Sequence, residues 1–233
     1  MYYYRHSIDI FQKVVTSVKS ALSTFYRHSI DIFDVKNSTT ILTVISYHIF
    51  IKNGLYLFEN QNDISILEIG LGTGLNAFIT FLETENRDKI IHYQGVEAYP
   101  ITIEEALAMN YVKELKQEKK SFIFDKIHTS SWDEWNTLSE HFFLKKRKQF
   151  FNEIIDENSF NLIYFDAFGA RVQPELWTEE IFQKMYNALK INGKLVTYSS
   201  KGSARRAMQA VGFSVEKIPG PLGKREMLRA TKI

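Results

Sequence analysis

The chain contains no cysteine and only four prolines among its 233 residues. Without cysteine it can form no disulfide, no thiolate zinc site and no cysteine nucleophile. Its six histidines show no H-E-x-x-H spacing, which argues against a metal site. No run of about 18 apolar residues stands out, so no membrane-spanning helix is expected. The start, Met1-Tyr-Tyr-Tyr-Arg-His, lacks the basic-then-apolar layout of a signal peptide. A soluble cytoplasmic protein is the expectation. With 45% hydrophobic and 24% charged residues, the chain reads as one large globular domain, or one domain with an appendage.

The net charge is only +2, but it is unevenly spread. From Lys190 onward there are ten basic residues against Glu216 and Glu226, a local +8, which leaves −6 for the rest. A polarised basic surface suits a polyanion such as nucleic acid, although charge alone favours a plain solvated surface.

The first 57 residues read as an N-terminal extension. Tyr4-Arg-His-Ser-Ile-Asp-Ile-Phe11 recurs letter for letter as Tyr26 to Phe33, too few copies for a solenoid. Between the copies, Val14, Val15, Val18, Ala21, Leu22 and Phe25 have amphipathic helical spacing. Ile41-Leu-Thr-Val-Ile and His48-Ile-Phe-Ile are β-branched runs that read as short strands closed by Asn53-Gly54.

Residues 58–233 read as one α/β domain. Strands are expected at Ile64–Ile69, Ile90–Glu97, Phe122–His128, Asn161–Phe165 and Lys194–Tyr198. Helices are expected after Gly74 (Leu75, Phe78, Ile79 and Leu82 inward), from Pro100 to about Asn110 (Ile103, Ala106, Leu107 and Tyr111 inward) and over Trp132–Phe143. Two more follow: Pro174–Lys190, stopped at Asn192-Gly193, and Ser203–Val211, stopped at Gly212. Lys145-Lys-Arg-Lys148 reads as a charged loop or a helix end. The alternation implies a mostly parallel sheet with helices on both faces. The closing pair Phe213–Ile218 and Glu226–Thr231 leaves no room for a crossover helix, so one of its strands must run antiparallel.

Glu68-Ile-Gly-Leu-Gly-Thr-Gly74 joins the first expected strand to its helix. Gly70, Gly72 and Gly74 allow a tight turn and a close ligand approach. Their G-x-G-x-G spacing is not the G-x-G-x-x-G dinucleotide fingerprint, and an NAD-dependent oxidoreductase is the least favoured reading. With its leading Glu68, the turn resembles the first motif of class I S-adenosylmethionine (SAM) methyltransferases. About 20 residues on, Glu97 ends the second strand, where a carboxylate accepts hydrogen bonds from ribose hydroxyls.

Further motifs follow in order. They are Asp166-Ala-Phe168 with Pro174-Glu-Leu-Trp177-Thr, Thr197-Tyr-Ser, Lys201-Gly, Arg205-Arg206, Gly212-Phe213, Pro219-Gly, and Gly223-Lys224-Arg225-Glu-Met-Leu. Together with Leu75-Asn76, they make residues 48–230 resemble the tRNA 5-methylaminomethyl-2-thiouridine methyltransferase family. That family comprises the methyltransferase half of a bifunctional wobble-uridine enzyme and its stand-alone relatives.

The resemblance implies a Rossmann-like class I SAM-dependent methyltransferase domain that methylates the 5-aminomethyl group of a (2-thio)uridine at the tRNA wobble position. It makes Glu68, Gly70, Gly72, Gly74, Asn76, Glu97 and Asp166 cofactor-site candidates, and tRNA, through its anticodon region, the partner. Asp166 is also the candidate catalytic base, because an acidic residue just after a strand lies where ligands bind in open α/β sheets. Phe168 and Trp177 are candidates to stack on the uridine. Trp177, at helical spacing from Ile181, reads equally as core. Lys201, Arg205, Lys224 and Arg225 are candidates for the RNA backbone. The chain is too short for the flavin-dependent half of the bifunctional relatives. No residue is assigned to the adenine amino group, since His128-Thr-Ser-Ser-Trp132-Asp133 matches no expected pattern. The alternatives are a small-molecule amine methyltransferase, an aminopropyltransferase-like enzyme, or a non-enzymatic SAM- or RNA-binding module.

Overall fold

The computed structural model of the protein describes residues 35–233. The duplicated segment and the helix expected over Val14–Phe25 lie outside the described residues.

The described chain opens with helix α1 (Val35–Ser46), a π-helical turn (Tyr47–Lys52) and a 3₁₀ turn (Leu55–Phe58). Strand β1 (Asp63–Ile69) leads into α2 (Leu75–Thr84) and β2 (Ile90–Val96). Short helices α3 (Ile103–Ala108) and α4 (Tyr111–Glu114) precede α5 (Ser121–Thr129). A hairpin of β3 (Trp135–Ser139) and β4 (Phe142–Arg147) follows, then β5 (Phe160–Phe165). The chain closes with α6 (Glu179–Ala188), β6 (Leu189–Thr197), α7 (Gly202–Ala210), β7 (Phe213–Pro219) and β8 (Glu226–Lys232).

The strands form one sheet in the order β3-β4-β2-β1-β5-β6-β8-β7. β4, β2, β1, β5 and β6 are mutually parallel, while β8 runs antiparallel between β6 and β7. The expected antiparallel closing strand is therefore β8. After β1 the chain builds outward to β2 and β4, then returns to the other side of β1 as β5. The β1–β5 boundary is thus the topological switch point, where open α/β sheets bind ligands. Every residue of β5 is buried, as a central parallel strand covered on both faces requires.

Five sequence expectations are corrected. Residues 41–51 are helical, not paired strands: Thr43, Ser46, Ile49 and Phe50 are buried at three- and four-residue steps, and this face overrides β-branched propensity. Phe122–His128 is α5; Ile123, Phe124 and Ile127 face inward while Phe122 is 59% exposed, a helical rather than an alternating pattern. Trp132–Phe143 is the hairpin instead of a helix, with Phe142 and Leu144 buried and Phe143 and Lys145 less so, the period of a strand. Lys145–Arg147 therefore lie in β4. Lys146 is buried there, donating to the His128 carbonyl at 2.7 Å and lying over the Trp132 ring, and Arg147 pairs with Asp156 at 2.8 Å. Asn192-Gly193 is not a helix stop. The helix ends at Ala188, and these residues occupy an irregular stretch of β6 where a Cβ on Gly193 would meet the Lys190 carbonyl oxygen at 2.8 Å.

Smaller differences also stand out. Residues 174–177 form a 3₁₀ turn, and Thr178 starts α6 afresh by accepting from the Ile181 N–H. The helix expected from Pro100 to about Asn110 is shorter, Ile103–Ala108; Asn110 is left-handed at φ 58°, Tyr111 starts a separate helix, and both Ile103 and Leu107 are exposed.

One segment, Ile41–Phe58, does reach the length and apolarity of a membrane span, contrary to the sequence reading. Its Ile49, Phe50, Ile51 and Leu55 are buried in the same apolar cluster as β1 and α2, and Phe50 packs on Tyr164 with ring centroids 4.9 Å apart.

Candidate active site

A cavity of about 680 Å³ opens at the carboxyl ends of β1, β2, β5 and β6. Its floor is the turn after β1. Gly70, Gly72 and Gly74 all have positive φ (89°, 48° and 71°), the region that favours glycine. A Cβ on Gly70 would stand 3.0 Å from the Asp166 carbonyl oxygen, so this glycine lets the ends of β1 and β5 close together. The Asp166 N–H donates to the Ile69 carbonyl at 3.0 Å across the same seam. Around Gly72 there is open space: a Cβ would find its nearest atom at 3.9 Å.

Glu97, one residue past β2, forms the second wall. Its carboxylate accepts from the Gly72 N–H and the Tyr99 N–H, each at 3.0 Å, which ties the strand end to the glycine turn. Burial pushes its carboxyl above the usual range, against the pull of these backbone donors. Asp166 and Phe168, after β5, form the third wall, and Phe168 is 39% exposed. Burial raises Asp166 to about 7, so near neutral pH it exchanges its proton readily.

Asn76, in the first turn of α2, joins two carboxylates. Its Nδ2 donates to Glu68 Oε1 and to Asp166 Oδ2, both at 2.8 Å. Glu68 is fully buried beneath the turn, where it also accepts from the Tyr93 hydroxyl at 2.8 Å. Among the cofactor-site candidates, Gly70, Gly72, Asn76, Glu97 and Asp166 line the cavity; Glu68 does not. Gly74 instead packs its bare Cα against His128.

Of the two readings the sequence left open for Trp177, the structure has the core one. This residue is only 5% exposed, packs edge-on to Phe165 with ring centroids 5.1 Å apart, and holds the Phe168 carbonyl through Nε1 at 2.8 Å. It thereby fixes the Phe168 backbone and presents no free face to the cavity.

The basic candidates gather on one side. Lys201 immediately precedes α7, one turn before Arg205, whose backbone N–H bonds to the Lys201 carbonyl at 3.1 Å. Lys217, followed by Arg225 and Arg205, holds Glu226 below the usual carboxylate range. The Lys224 ammonium bonds to the Tyr198 carbonyl and lies 5.1 Å from that ring's centre, and burial lowers it to about 8. Tyr198 itself lines the cavity and reaches the Ala167 carbonyl at 3.3 Å, so the basic side meets the carboxylate side there.

Sequence reasoning missed two contributions to this cavity. Leu42, Ile45 and Ile49 close it from the N-terminal helices, and their three- and four-residue spacing was the available signal. Tyr99, Phe150 and Phe151 supply aromatic surface from the loops after β2 and β4, with Tyr99 and Phe150 edge-to-face at 5.8 Å.

A family model described as S-adenosyl-L-methionine-dependent methyltransferase matches residues 141–233. The bifunctional tRNA 5-methylaminomethyl-2-thiouridine biosynthesis protein MnmC of Leptospira interrogans (serovar copenhageni) is 32% identical over 198 residues, covering 78% of this chain and 30% of its own length. That of Leptospira borgpetersenii (strain JB197) is 30% identical over 181 residues, covering 72% and 27%. Over these spans the chain resembles the MnmC proteins. It spans about 30% of the length of the curated MnmC proteins it matches. The fold is also that of MnmC2 from Aquifex aeolicus, at TM-score 0.58 and 22% identity, over 79% of this chain and 59% of the other. The spermidine synthase of Thermotoga maritima shares it less closely, at TM-score 0.50 and 17% identity, over 82% and 59%.

Proposed function

We propose that this protein methylates the 5-aminomethyl nitrogen of a (2-thio)uridine at the tRNA wobble position, using SAM. The observation that carries the reading is Asp166: a carboxylate in the cavity wall, at the switch point of a methyltransferase fold, raised to about 7.

The residues fit the cofactor. The open space at Gly72 admits a ligand against the backbone, and Glu97 offers carboxylate oxygens suited to ribose hydroxyls. Asp166 provides negative charge for a cationic centre. When bound, SAM supplies a methyl group on a positively charged sulfur.

The acceptor must offer a lone pair, yet an alkylammonium resembling Lys, with a pKa of about 10.4, is mostly protonated at neutral pH. Asp166 orients this ammonium and takes its proton, and the cavity supplies proximity. Asn76 leaves one Asp166 oxygen for that task by occupying the other. Phe168 offers a face on which an unstacked base can lie. Lys201, Arg205, Lys224 and Arg225 extend the site toward the RNA backbone, and their positive charge favours a polyanionic carrier over a free small amine.

The test is nucleoside mass spectrometry of aminomethyl-bearing tRNA incubated with the protein and methyl-labelled SAM. Label in 5-methylaminomethyl(-2-thio)uridine is the expected result. Label only in a free amine, with no competition by tRNA, would replace the reading with that of a small-molecule enzyme.

A further inference from the structure

Glu68 is buried under the glycine turn, touches no part of the cavity, and yet is linked to the cavity carboxylate through a single side chain. Asn76 Nδ2 carries two protons and points one at Glu68 Oε1 and one at Asp166 Oδ2, each at 2.8 Å. With both protons directed at carboxylates, the amide's orientation is fixed. Its Oδ1 is left buried and without a hydrogen-bond partner among the described residues. A half-turn would set that oxygen against the two carboxylates and leave the Nδ2 protons unpaired, so the amide keeps this orientation although its oxygen is orphaned. Something anchors the amide, and Glu68 is placed to do so, itself held on its other oxygen by the Tyr93 hydroxyl at 2.8 Å.

We propose that Glu68 is a positioning residue: through Asn76 it aims a fixed N–H at Asp166 Oδ2 and so orients the other Asp166 oxygen for the substrate amine. The proposal rests on the reading of Asp166 as the proton acceptor. It assigns the leading acid of the glycine-turn motif to Asp166 rather than to cofactor contact. The other titratable groups that face this pair are Tyr93 from β2, Tyr111 from α4, Tyr164 from β5, Tyr198 beyond β6, and Glu97. Burial keeps each of the four phenols protonated at neutral pH, so they stay neutral while Asp166 titrates.

The experiment follows the isotope-labelled carboxyl of Asp166 by NMR in the ligand-free protein, identified by its loss in Asp166→Asn. The Asn76 hydrogen bond pulls the Asp166 midpoint down from where burial alone would put it. Glu68→Leu combined with Tyr93→Phe removes the anchor together with its partner and leaves no unpaired hydroxyl. The Asp166 midpoint should then rise by about one pH unit, the size expected for weakening one hydrogen bond to a charged group. Asn76→Ala should produce a rise of the same sign. Glu68→Gln, whose amide oxygen still accepts from Asn76, should keep the midpoint near its wild-type value.

An unchanged midpoint in the double variant would overturn the proposal and leave Glu68 a purely structural group. A fall would overturn it too, showing that Glu68 acts on Asp166 as a charge. A second measurement covers failure of the double variant to fold. In Asp166→Asn the Nδ2 proton of Asn76 that Glu68 holds should stay protected from exchange with solvent, and adding Glu68→Leu should remove that protection. Equal protection with and without Glu68 would overturn the anchor. Neither measurement needs turnover, so both stand apart from the methylation assay: full activity of Asp166→Asn would sink the base assignment while leaving the anchor tested on its own terms.

Discussion

The bare Cα of Gly74 faces the imidazole of His128: a Cβ there would lie 3.0 Å from Nε2 and 3.2 Å from Cε1. The third glycine of the turn thus serves helix packing beneath the cavity, whereas Gly72 serves the cavity itself. Substitutions at the two positions should therefore fail differently. Gly74→Ala combines a left-handed φ with a tight contact and should lower unfolding free energy by at least about 1–2 kcal/mol. Gly72→Val meets open space, so beyond the strain of its own φ it should act by obstructing the ligand. Calorimetric titration should show SAM binding lost in Gly72→Val, while its thermal midpoint falls less than that of Gly74→Ala. Equal loss of stability in both would contradict this division of roles.

His128 also sets an acid limit on the fold. Burial, helped by the Lys146 ammonium, lowers it to about 4, and its Nε2 has no well-formed hydrogen bond among the described residues. The unfolded chain binds this proton with a pKa of about 6.5, so it takes up the proton first as pH falls. Stability from His128 is therefore fully present above about pH 6.5 and is lost progressively down to about pH 4. His128→Leu should flatten that limb by a few kcal/mol. Chemical denaturation at a series of pH values checks this; an unchanged slope would refute it.

The basic side of the cavity predicts a salt effect. Arg205→Gln with Arg225→Gln removes two cations that surround Glu226 and leaves the SAM cradle untouched. If both meet phosphates, the slope of log affinity for tRNA against log salt should fall by up to about 2, with SAM affinity unchanged. A slope equal to that of the wild type would return these residues to the solvated surface.

The parts of the fold legible in the sequence were those where one local signal acted alone. β1, the glycine turn and β5 are short apolar runs ended by glycine or by Asp166, and the antiparallel β8 followed from the shortness of its connection. The errors fell where propensity and burial disagree. α5 is rich in Phe and Ile, yet only Ile123, Phe124 and Ile127 face the core. Lys146 and Arg147 looked like solvent charges and are buried, their polar ends held by the His128 carbonyl and by Asp156. The cavity's carboxylates were legible as strand-end acids. That Glu68 works from beneath, through Asn76, was not, because no spacing encodes a side chain shared across residues 68, 76 and 166.

Asp166 gives two linked predictions, one on rate and one on stability. Asn is nearly isosteric and can keep the amide contact with Asn76, but it cannot take the ammonium proton. A positioned general base typically contributes about 10²- to 10⁴-fold, and single-turnover methyl transfer by Asp166→Asn should fall within that range. Wild-type turnover should rise with pH through about 7, as Asp166 ionises. The variant should lose that inflection and recover partly at high pH, where the amine is already neutral. The stability effect has the opposite sign. Burial raises Asp166 from the ordinary 3.8 of its carboxyl to about 7, so the folded state holds its proton longer than the unfolded chain. Its contribution is complete below about pH 3.8 and is lost as pH rises through about 7. Asp166→Asn should consequently be more stable than the wild type at pH 8, by up to a few kcal/mol, with the difference vanishing near pH 4. Such an exchange of stability for activity is common where a site keeps a charge out of water. Near wild-type turnover at neutral pH would remove Asp166 from the chemistry, and loss of folding at every pH would mark it as a cap of the turn that precedes Pro174.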